Sequence, residues 1–382
     1  MRIERFETVI IGAGQAGLAA GYWLSKQDND FVILDANARV GDVWRNRWDS
    51  LQLFTPAKYS GLPGMAFPGN PYHLPARTQV ADYMEWYAQV NELPVRTGVR
   101  VSSVRRVAGL FEIETDDVRF QAHNVIVATG AFQTPVIPGF AKELDAGIFQ
   151  VHSSGYRNSA QLPDGDVMVV GAANSGAQIA LEISRTRNVI LAGRSVGSFP
   201  RRVLGRDLFD WLWATVMKPG ADSFIGRRIR RDVLSGTDKL IGMSEKDLLS
   251  TTLRRTGRVS GVKDGAPVLD DGSIANVGSI VWCTGFRPDF RWIDAPVFGE
   301  DGYPRHTRGA TEVPGLYFLG LRFLYRLNSS LVGGVGADAQ HVANLVRARY
   351  GEARAAAPTT MRVRAALAPE PQPQVSRFIQ SS

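Results

Sequence analysis

The sequence predicts an α/β protein built from two doubly wound domains, one inserted into the other. An apolar run that leads through a glycine-rich turn into a helical pattern occurs twice, with the turns beginning at Gly12 and Gly171. Two further apolar runs, 125–130 and 280–285, each end in Thr-Gly near the edges of the second unit. Because strand, glycine turn and helix open a Rossmann-like unit, the chain is expected to hold two such units.

These landmarks divide the chain into four segments. We expect the first domain to consist of residues 1–149 and 285–350, with the second domain, residues 150–284, inserted between them. Residues 351–382 are rich in Ala and Pro and lack a stable apolar period. That composition predicts a flexible C-terminal tail.

The first unit carries the pattern of a dinucleotide site. Within GAGQAG, Gly12 permits the tight turn, Gly14 lets a diphosphate approach the backbone, and Gly17 allows close packing of helix against strand. Asp35 follows Gly14 by 21 residues and ends the next apolar run. An acid at this position is expected to accept hydrogen bonds from ribose hydroxyls.

The second unit differs from the first at two positions. In GAANSG, residues 171–176, Ala173 replaces the middle glycine, while Asn174 and Ser175 add polar groups. Arg194, followed by Ser195, stands where an NAD site would carry an acid, and a guanidinium suits a 2′-phosphate. The two units together predict FAD in the first and NADPH in the second, with NADH left open as an alternative coenzyme.

Composition excludes several protein classes. With 44% hydrophobic and 21% charged residues, global disorder is excluded. One cysteine, Cys283, cannot form a dithiol or a cysteine-rich zinc site, and the five histidines are scattered, so no metal site is predicted. Residues 201–260 hold 13 Arg and Lys against 7 Asp and Glu, and this patch is expected to face solvent or a phosphate rather than nucleic acid.

The N-terminus lacks the features of a secretory signal, and no apolar stretch reaches the length of a membrane span. The expected location is therefore the cytoplasm, with no integral membrane segment. A homodimer stays open as an assembly.

Several motifs resemble those of the class B flavoprotein monooxygenases, nearest to the bacterial flavin-containing monooxygenases and their YUCCA-type plant relatives. The resemblance covers residues 5–350 and keeps the family's linear order. It rests on the following motifs: GAGQAG, GDVWRNRWDSLQLFTP (41–56), the ATG at 128–130, HSSGY (152–156), GAANSG, CTGFRPDF (283–290) and GLYFLG (315–320).

The resemblance implies which residues bind each cofactor. The FAD-binding residues are expected to be Gly12, Gly14, Gln15, Ala16, Gly17, Asp35, Ala36, Trp44, Val101, Ala128, Thr129, Gly130, Gly320 and Asp338. The NADP-binding residues are expected to be Gly171, Ala172, Asn174, Ser175, Gly176, Arg194, Ser195, Thr284 and Gly285. His152 and Tyr156 belong to the family's linker motif and are expected to form a hinge.

The residues nearest the flavin are expected to be Phe54, Thr55 and Asn328. In better-known members an Asn precedes Gly-Pro where this chain has Phe54-Thr55-Pro56, and Phe54 cannot donate a hydrogen bond. Packing against the flavin ring is the expected role of Phe54. Stabilisation of the oxygenated flavin then falls to the nicotinamide amide, to Thr55 or to the loop that holds Asn328.

The resemblance implies an NADPH-dependent monooxygenase that forms a C4a-hydroperoxyflavin and passes one oxygen atom from dioxygen to sulfur or nitrogen of a small molecule. One alternative is an oxidase or reductase that passes electrons to oxygen or a quinone without inserting oxygen. Another is a non-enzymatic, redox-sensing regulator that binds both dinucleotides. The sequence does not identify the substrate.

Overall fold

The computed structural model describes residues 2–356 except 235–238, 245 and 250–251. Its strands, in chain order, are β1 Arg2–Ile11, β2 Phe31–Leu34, β3 Val95–Arg96, β4 Ser103–Val107, β5 Leu110–Glu114, β6 Val118–Val127, β7 Thr134–Pro135, β8 Phe149–His152, β9 Val167–Val170, β10 Val189–Ala192, β11 Ser198–Phe199, β12 Arg202–Val203, β13 Arg206–Asp207, β14 Leu240–Ile241, β15 Leu253–Thr256, β16 Val259–Lys263, β17 Ala266–Leu269, β18 Ser279–Trp282, β19 Phe286–Arg287, β20 Ile293–Asp294 and β21 Leu316–Phe318.

The α-helices are α1 Gln15–Ser25, α2 Asp42–Arg45, α3 Arg77–Val90, α4 Asn174–Ile183, α5 Leu208–Ala214, α6 Phe224–Leu234 and α7 Gly336–Ala356. Single 3-10 turns occur at Ala57–Tyr59, Gly139–Glu143 and Ser159–Gln161. None of the helices within the described residues combines the length and apolar character that crossing a membrane requires. Helix α7 continues to Ala356, so it extends beyond residue 351, where the sequence predicts that the tail begins. The rest of the predicted tail, residues 357–382, lies outside the described residues.

The first sheet has eight strands in the order β20-β4-β5-β6-β1-β2-β3, with β21 also paired to β6. The strands β6, β1, β2 and β3 run parallel, whereas β4 and β5 form an antiparallel meander. Strand β2 consists of four buried residues, as expected for a parallel strand covered on both faces. The helices α1 and α7 pack together beside this sheet, and the Trp23 indole of α1 donates to the Gly336 carbonyl at 3.2 Å.

The second sheet is wholly parallel, in the order β15-β10-β9-β18-β8. Alternate residues of β9 enter different cores: Val167 and Val169 lie in one cluster, and Met168 and Val170 lie in the other. Both faces of the sheet are therefore buried, which explains why its strands are continuous apolar runs. The predicted fold class, two doubly wound domains with one inserted into the other, is confirmed.

Two chain crossings join the domains, and they pair with each other. Strand β7, where the chain leaves the first sheet, forms an antiparallel ribbon with β19, where it returns, with Phe286 opposite Pro135. The Thr284 hydroxyl donates to the Val136 carbonyl, which fixes the return crossing to the outgoing one. The exact domain boundaries remain a proposal.

Candidate cofactor and active site

The first glycine loop has the shape that a diphosphate needs. Gly12 has a φ of +106°, and a Cβ there would lie 2.7 Å from the Ala128 carbonyl oxygen. A Cβ on Gly17 would lie 1.8 Å from the Gly12 oxygen, so the helix packs too tightly for any side chain. Gly14 faces open space, with no atom within 4 Å of the Cβ position. No side chain caps the start of α1, so its first N–H groups are available to an anion.

The predicted ribose-binding residues gather at the end of β2. The Asp35 carboxylate accepts hydrogen bonds from the backbone N–H groups of Ala13, at 2.6 Å, and Asn37, at 2.7 Å. It is therefore held beside the glycine loop with further lone pairs available. Ala36 is exposed, and the segment leading to the half-buried Val101 is tied to Asp35 by the N–H of Val99, at 2.8 Å.

Other predicted FAD residues meet around the same loop. The Gln15 amide donates to the Ser330 carbonyl at 3.3 Å, and a Cβ on Gly320 would lie 2.9 Å from Cβ of Ala16. Ala128 is buried, and the exposed Thr129 hydroxyl accepts a hydrogen bond from Gln133 at 2.9 Å. Gln133 also donates to the Gly130 carbonyl at 2.7 Å, which orders this turn. Residues from four distant segments thus converge on one loop.

Trp44 supplies an independent test of whether a cofactor fits. Its indole Nε1 is buried and has no hydrogen-bond partner. A buried donor without an acceptor is costly, and a phosphate or flavin oxygen is an acceptor of the kind that it lacks. The open space at Gly14 and this donor both fit a bound FAD.

Asp338 lies in the first turn of α7 and is 3% exposed. Its carboxylate pairs with Arg308 at 3.2 Å, so the charge of this acid is already compensated within the protein. Asp338 is therefore a buried, ion-paired group in the helix that follows the Asn328 loop.

The second glycine loop repeats the first. A Cβ on Gly171 would lie 2.3 Å from the Cys283 oxygen, and one on Gly176 would lie 1.7 Å from the Gly171 oxygen. Ala172 is buried, Ala173 stands at the start of α4 without a side-chain cap, and Ser175 is exposed. This helix start is free to bind the second diphosphate.

The Asn174 side chain has a structural role within the inserted domain. Its amide donates to the Lys239 carbonyl and accepts from the Ile241 N–H, each at 3.2 Å. Asn174 thereby anchors β14 over the start of α4, and a direct contact with the coenzyme remains a proposal.

Arg194 and Ser195 are exposed just beyond the end of β10. Within the described part of the chain, the Arg194 guanidinium forms no ion pair. This free cation beside the second glycine loop is available to a 2′-phosphate.

The three residues predicted nearest the flavin differ in their surroundings. Phe54 stacks on Phe209, with ring centroids 6.2 Å apart, and its carbonyl accepts from Arg201 at 2.7 Å. Thr55 is 4% exposed, and its hydroxyl shares a hydrogen bond with Ser60 at 3.1 Å. Asn328 lies in the turn before α7, where its carbonyl accepts from the Leu331 N–H. Thr55 is therefore already paired, which leaves Phe54 and Asn328 as the more accessible candidates.

A groove of about 640 Å³ lies between the domains beside Phe54, and we call it the interdomain groove. Its first-domain wall includes Leu53, Phe54, Tyr72 and Leu74. The opposite wall comes from the inserted domain and includes Gln178, Leu181, Arg201, Arg202, Arg206, Ile241 and Met243. This volume suits a small molecule.

The predicted hinge residues lie at the junction of the domains. His152 is 6% exposed, and its Nε2 lies within hydrogen-bond distance, 3.1 Å, of the Gly285 carbonyl oxygen. This contact joins β8 to the segment where the chain returns to the first domain. Burial lowers the pKa of the His152 imidazole, which favours its neutral form. Tyr156 is fully buried and donates to Glu182 at 3.0 Å. Both side chains are placed as structural parts of the junction, and a direct role at the cofactor stays a prediction.

A second set of contacts across the domains was absent from the sequence predictions. Asp210 of α5 is paired with Lys58 at 2.8 Å and accepts hydrogen bonds from the hydroxyls of Tyr59 and Tyr72. Burial, followed by this carboxylate, raises the pKa of Tyr59 to about 12. The only signal in the sequence is an acid within an otherwise apolar and aromatic run, which does not reveal its partners.

Comparisons with known proteins agree with this geometry. The family model for pyridine nucleotide-disulphide oxidoreductases matches residues 9–201. A Geobacillus kaustophilus protein described as an uncharacterized CzcO-like oxidoreductase is 42% identical over 342 residues, covering 88% of this chain and 97% of that protein. The probable indole-3-pyruvate monooxygenase YUCCA7 of Arabidopsis thaliana is 27% identical and covers 82% of each chain.

Among solved structures, the flavin-containing monooxygenase from Stenotrophomonas maltophilia matches with a TM-score of 0.75 and 26% identity, covering 91% of this chain and 99% of that one. Cys283 is the single cysteine of this sequence, and burial raises the pKa of its thiol to about 12. A dithiol mechanism therefore has no basis in these residues.

Proposed function

The chain belongs to the pyridine nucleotide-disulphide oxidoreductase family, and within it to the class B flavin-dependent monooxygenases that use FAD and a nicotinamide coenzyme; from this premise we propose that it oxygenates sulfur or nitrogen of a small molecule. The observation that carries the proposal is the pair of glycine loops, one at each sheet, together with a groove between the two domains that contains Phe54. NADPH is the proposed reductant because Arg194, beside the second loop, forms no ion pair with any residue that the structure describes.

The protein's proposed contribution is to bind and orient the cofactors. When bound, FAD accepts a hydride from the nicotinamide and activates dioxygen, and this chemistry belongs to the cofactor. The start of α1 and Gly14 would hold the FAD diphosphate, Asp35 the ribose, and the Trp44 indole an acceptor oxygen. Gly171, Gly176 and the start of α4 would hold the NADPH diphosphate.

A further contribution is the exclusion of water. Phe54 and Phe209 stack, and Tyr59 packs on Trp213 with ring centroids 4.8 Å apart. These four rings form an aromatic wall where α5 meets the first domain. Such a wall would limit the access of water to a reactive centre beside the groove.

The nucleophilic side chains among the lining residues of the groove are the hydroxyls of Ser50 and Tyr72, and each already donates to a carboxylate, that of Glu182 and that of Asp210 respectively. None of its lining residues within the described chain is a cysteine or a histidine. The acids there are paired, as shown by Asp207 with Arg201 at 2.7 Å. General acid-base catalysis by protein groups is thus less well supported than chemistry carried by the cofactor.

Isotopically labelled dioxygen tests the proposal directly. The FAD-loaded protein is supplied with NADPH, labelled dioxygen and a thioether, and product, hydrogen peroxide and NADPH consumed are measured together. We expect labelled sulfoxide. Peroxide equal to the NADPH consumed, with no labelled product, would identify an oxidase, and negligible turnover with both dinucleotides bound would favour a regulator.

The oxidase alternative has one observation in its favour, because Phe54 cannot donate a hydrogen bond and Thr55 is paired with Ser60. We therefore expect appreciable peroxide release from the wild type. Phe54→Asn adds a donor worth about 0.5–1.5 kcal/mol and should lower the ratio of peroxide to NADPH by roughly two- to tenfold. Phe54→Leu removes the ring without adding a donor and is the control. Equal ratios in the two variants, or tight coupling in the wild type, would contradict this role.

A further inference from the structure

We propose that the interdomain groove selects an amphiphilic anion, a small molecule that joins an apolar body to a carboxylate. This inference rests on the proposed function and adds to it the chemical class of the substrate. It follows from the arrangement of apolar, acidic and basic side chains around the groove.

The floor of the groove is apolar. Leu53, Phe54 and Leu74 line it on the first domain, and Leu181 and Ile241 line it on the inserted domain. A ligand body in contact with these side chains is removed from water, which favours an aromatic or branched aliphatic body.

The carboxylates that line the groove are already engaged. Asp207 is 9% exposed and also accepts a hydrogen bond from the Phe209 N–H at 2.9 Å, which caps α5. The partners are Arg201 for Asp207, Lys58 with Tyr72 for Asp210, and Tyr156 with Ser50 for Glu182. Cations therefore compensate the charges of Asp207 and Asp210, whereas Glu182 accepts from two neutral hydroxyls. The three exposed arginines that line the groove outnumber this one carboxylate.

Three exposed arginines line the edge of the groove, which we call the rim, and their positive charges are not compensated by carboxylates of the described residues. Arg185, Arg202 and Arg206 are exposed and line the groove, and in the part of the chain that the structure describes they form no ion pair with a carboxylate. Arg206 lies over the Trp211 ring, with 5.7 Å from its guanidinium carbon to the ring centroid, which leaves its N–H groups available. The groove thus presents uncompensated positive charge beside an apolar floor.

The diphosphate of the second coenzyme does not account for Arg185. This diphosphate is assigned to the start of α4 at Asn174, whereas the groove runs along Gln178, Leu181 and Glu182 to Arg185. At 1.5 Å of rise per residue, Arg185 lies roughly 16 Å along the helix direction from Asn174. An anion bound at Arg185 is therefore separate from the diphosphate site. Ile241, which also lines the groove, bonds to Asn174, so the KM for NADPH has to be measured when Arg202 and Arg206 are changed.

Three probes with one skeleton test the selection: 4-(methylthio)phenylacetate, its primary amide and 4-(methylthio)phenethylamine. Their affinities for the FAD-loaded protein are measured by calorimetry at low and at high salt, independently of turnover. We expect the acid to bind about three- to tenfold more tightly than the amide at low salt, with the amine weakest. The difference should shrink at high salt because the rim is exposed.

The double variant Arg202→Gln/Arg206→Gln should abolish the preference for the acid while retaining FAD. Arg228→Gln removes a charge from an exposed position on α6, outside the groove, and should keep the preference. Equal affinities of acid and amide in the wild type, or a preference that survives in the double variant, would overturn the inference. So would a rise in the KM for NADPH in the double variant with acid binding unchanged.

If the proposed monooxygenase function is wrong, the binding and labelling experiments together give a different pattern than if only the anion selectivity is wrong. If the acid is preferred in binding but no labelled sulfoxide forms, the groove's selectivity stands and the monooxygenase proposal falls. If labelled sulfoxide forms equally well from acid and amide and the two bind equally, only the anion selectivity falls.

Discussion

The three glycines of the first loop are needed for different physical reasons, and only the reason for Gly14 concerns a ligand. Gly12 and Gly17 are required by the protein itself, because a Cβ at either position would overlap the backbone. Gly14 has extended backbone, with φ −77° and ψ −173°, and open space around it. A side chain at Gly14 is therefore compatible with the fold and incompatible only with a molecule in the loop.

Gly14→Val should fold with a melting temperature near that of the wild type but lose most of its FAD. Each loss of about 1.4 kcal/mol in binding lowers affinity tenfold, and a clash with the diphosphate costs at least that much. The measurement is FAD released on denaturation per mole of protein. Gly139→Val, also in open space, is the control and should retain FAD. Full flavin content in Gly14→Val would show that the loop does not hold the diphosphate.

Arg194→Ala should raise the KM for NADPH about tenfold to hundredfold and leave the KM for NADH within about twofold. The reason is loss of a charge-assisted contact with the 2′-phosphate, typically about 1.5–3 kcal/mol. Steady-state kinetics with both coenzymes measure the effect. Arg106→Ala, an exposed arginine on β4, is the control. Equal effects on both coenzymes would mean that Arg194 does not read the phosphate.

At the scale of elements, α6 belongs to the inserted domain in sequence but contacts the first domain. The Val233 carbonyl of this helix accepts from Arg322 at 3.1 Å, and the positive charge of Arg230 acts on His306. Burial first, and Arg230 second, lower the pKa of His306 to about 4. Docking of α6 thus places the charge of Arg230 near the partly buried imidazole of His306.

The lowered pKa of His306 predicts an acid-dependent loss of stability. Below about pH 6.5 an unfolded chain protonates His306, whereas the folded protein resists protonation down to about pH 4. The free energy of unfolding attributable to this group should therefore fall by about 1.4 kcal/mol per pH unit across that window. Urea unfolding of wild type and His306→Gln from pH 7 to pH 4.5 measures it. The variant should show a flatter profile, while His123→Gln, at an exposed position, should match the wild type. Identical pH profiles for all three proteins would contradict the lowered pKa of His306.

At the scale of the whole molecule, function requires the two dinucleotide sites to keep a defined relative position. Arg157 joins the domains, because its guanidinium donates to the carbonyls of Arg45 and Arg47 and to the Asn46 side chain, each at 3.2 Å. Together with the ribbon of β7 and β19, these bonds orient the inserted domain.

Arg157→Met should lower stability by roughly 1–3 kcal/mol and slow reduction of the flavin by saturating NADPH, while FAD content stays unchanged. The control is Arg187→Met, which removes hydrogen bonds to the carbonyls of Leu162 and Pro163 within the inserted domain. A similar loss of stability with an unchanged rate of reduction is expected there. Stopped-flow absorbance gives the rate, and equal slowing in both variants would mean that general destabilisation is responsible.

The two dinucleotide units, their order and the fold class could be predicted from the sequence because their signals are local. A strand, a glycine turn, a helix and an acid or a base at the next strand end occupy a short span, and backbone geometry restricts each position. The roles of Gly12, Gly14 and Gly17 and the position of Asp35 follow from that restriction. The assignment of individual cofactor-binding residues remains a prediction.

Only the tertiary structure determines which side chains line the interdomain groove. The Arg201 bond to the Phe54 carbonyl joins residues 147 apart in sequence, and the Lys58 bond to Asp210 joins residues 152 apart. Periodicity within a domain carries no information about how a second domain lies against it, because that position depends on many weak contacts between distant side chains. For the same reason the sequence could not show that Thr55 is paired with Ser60 or that the Asn174 amide holds β14.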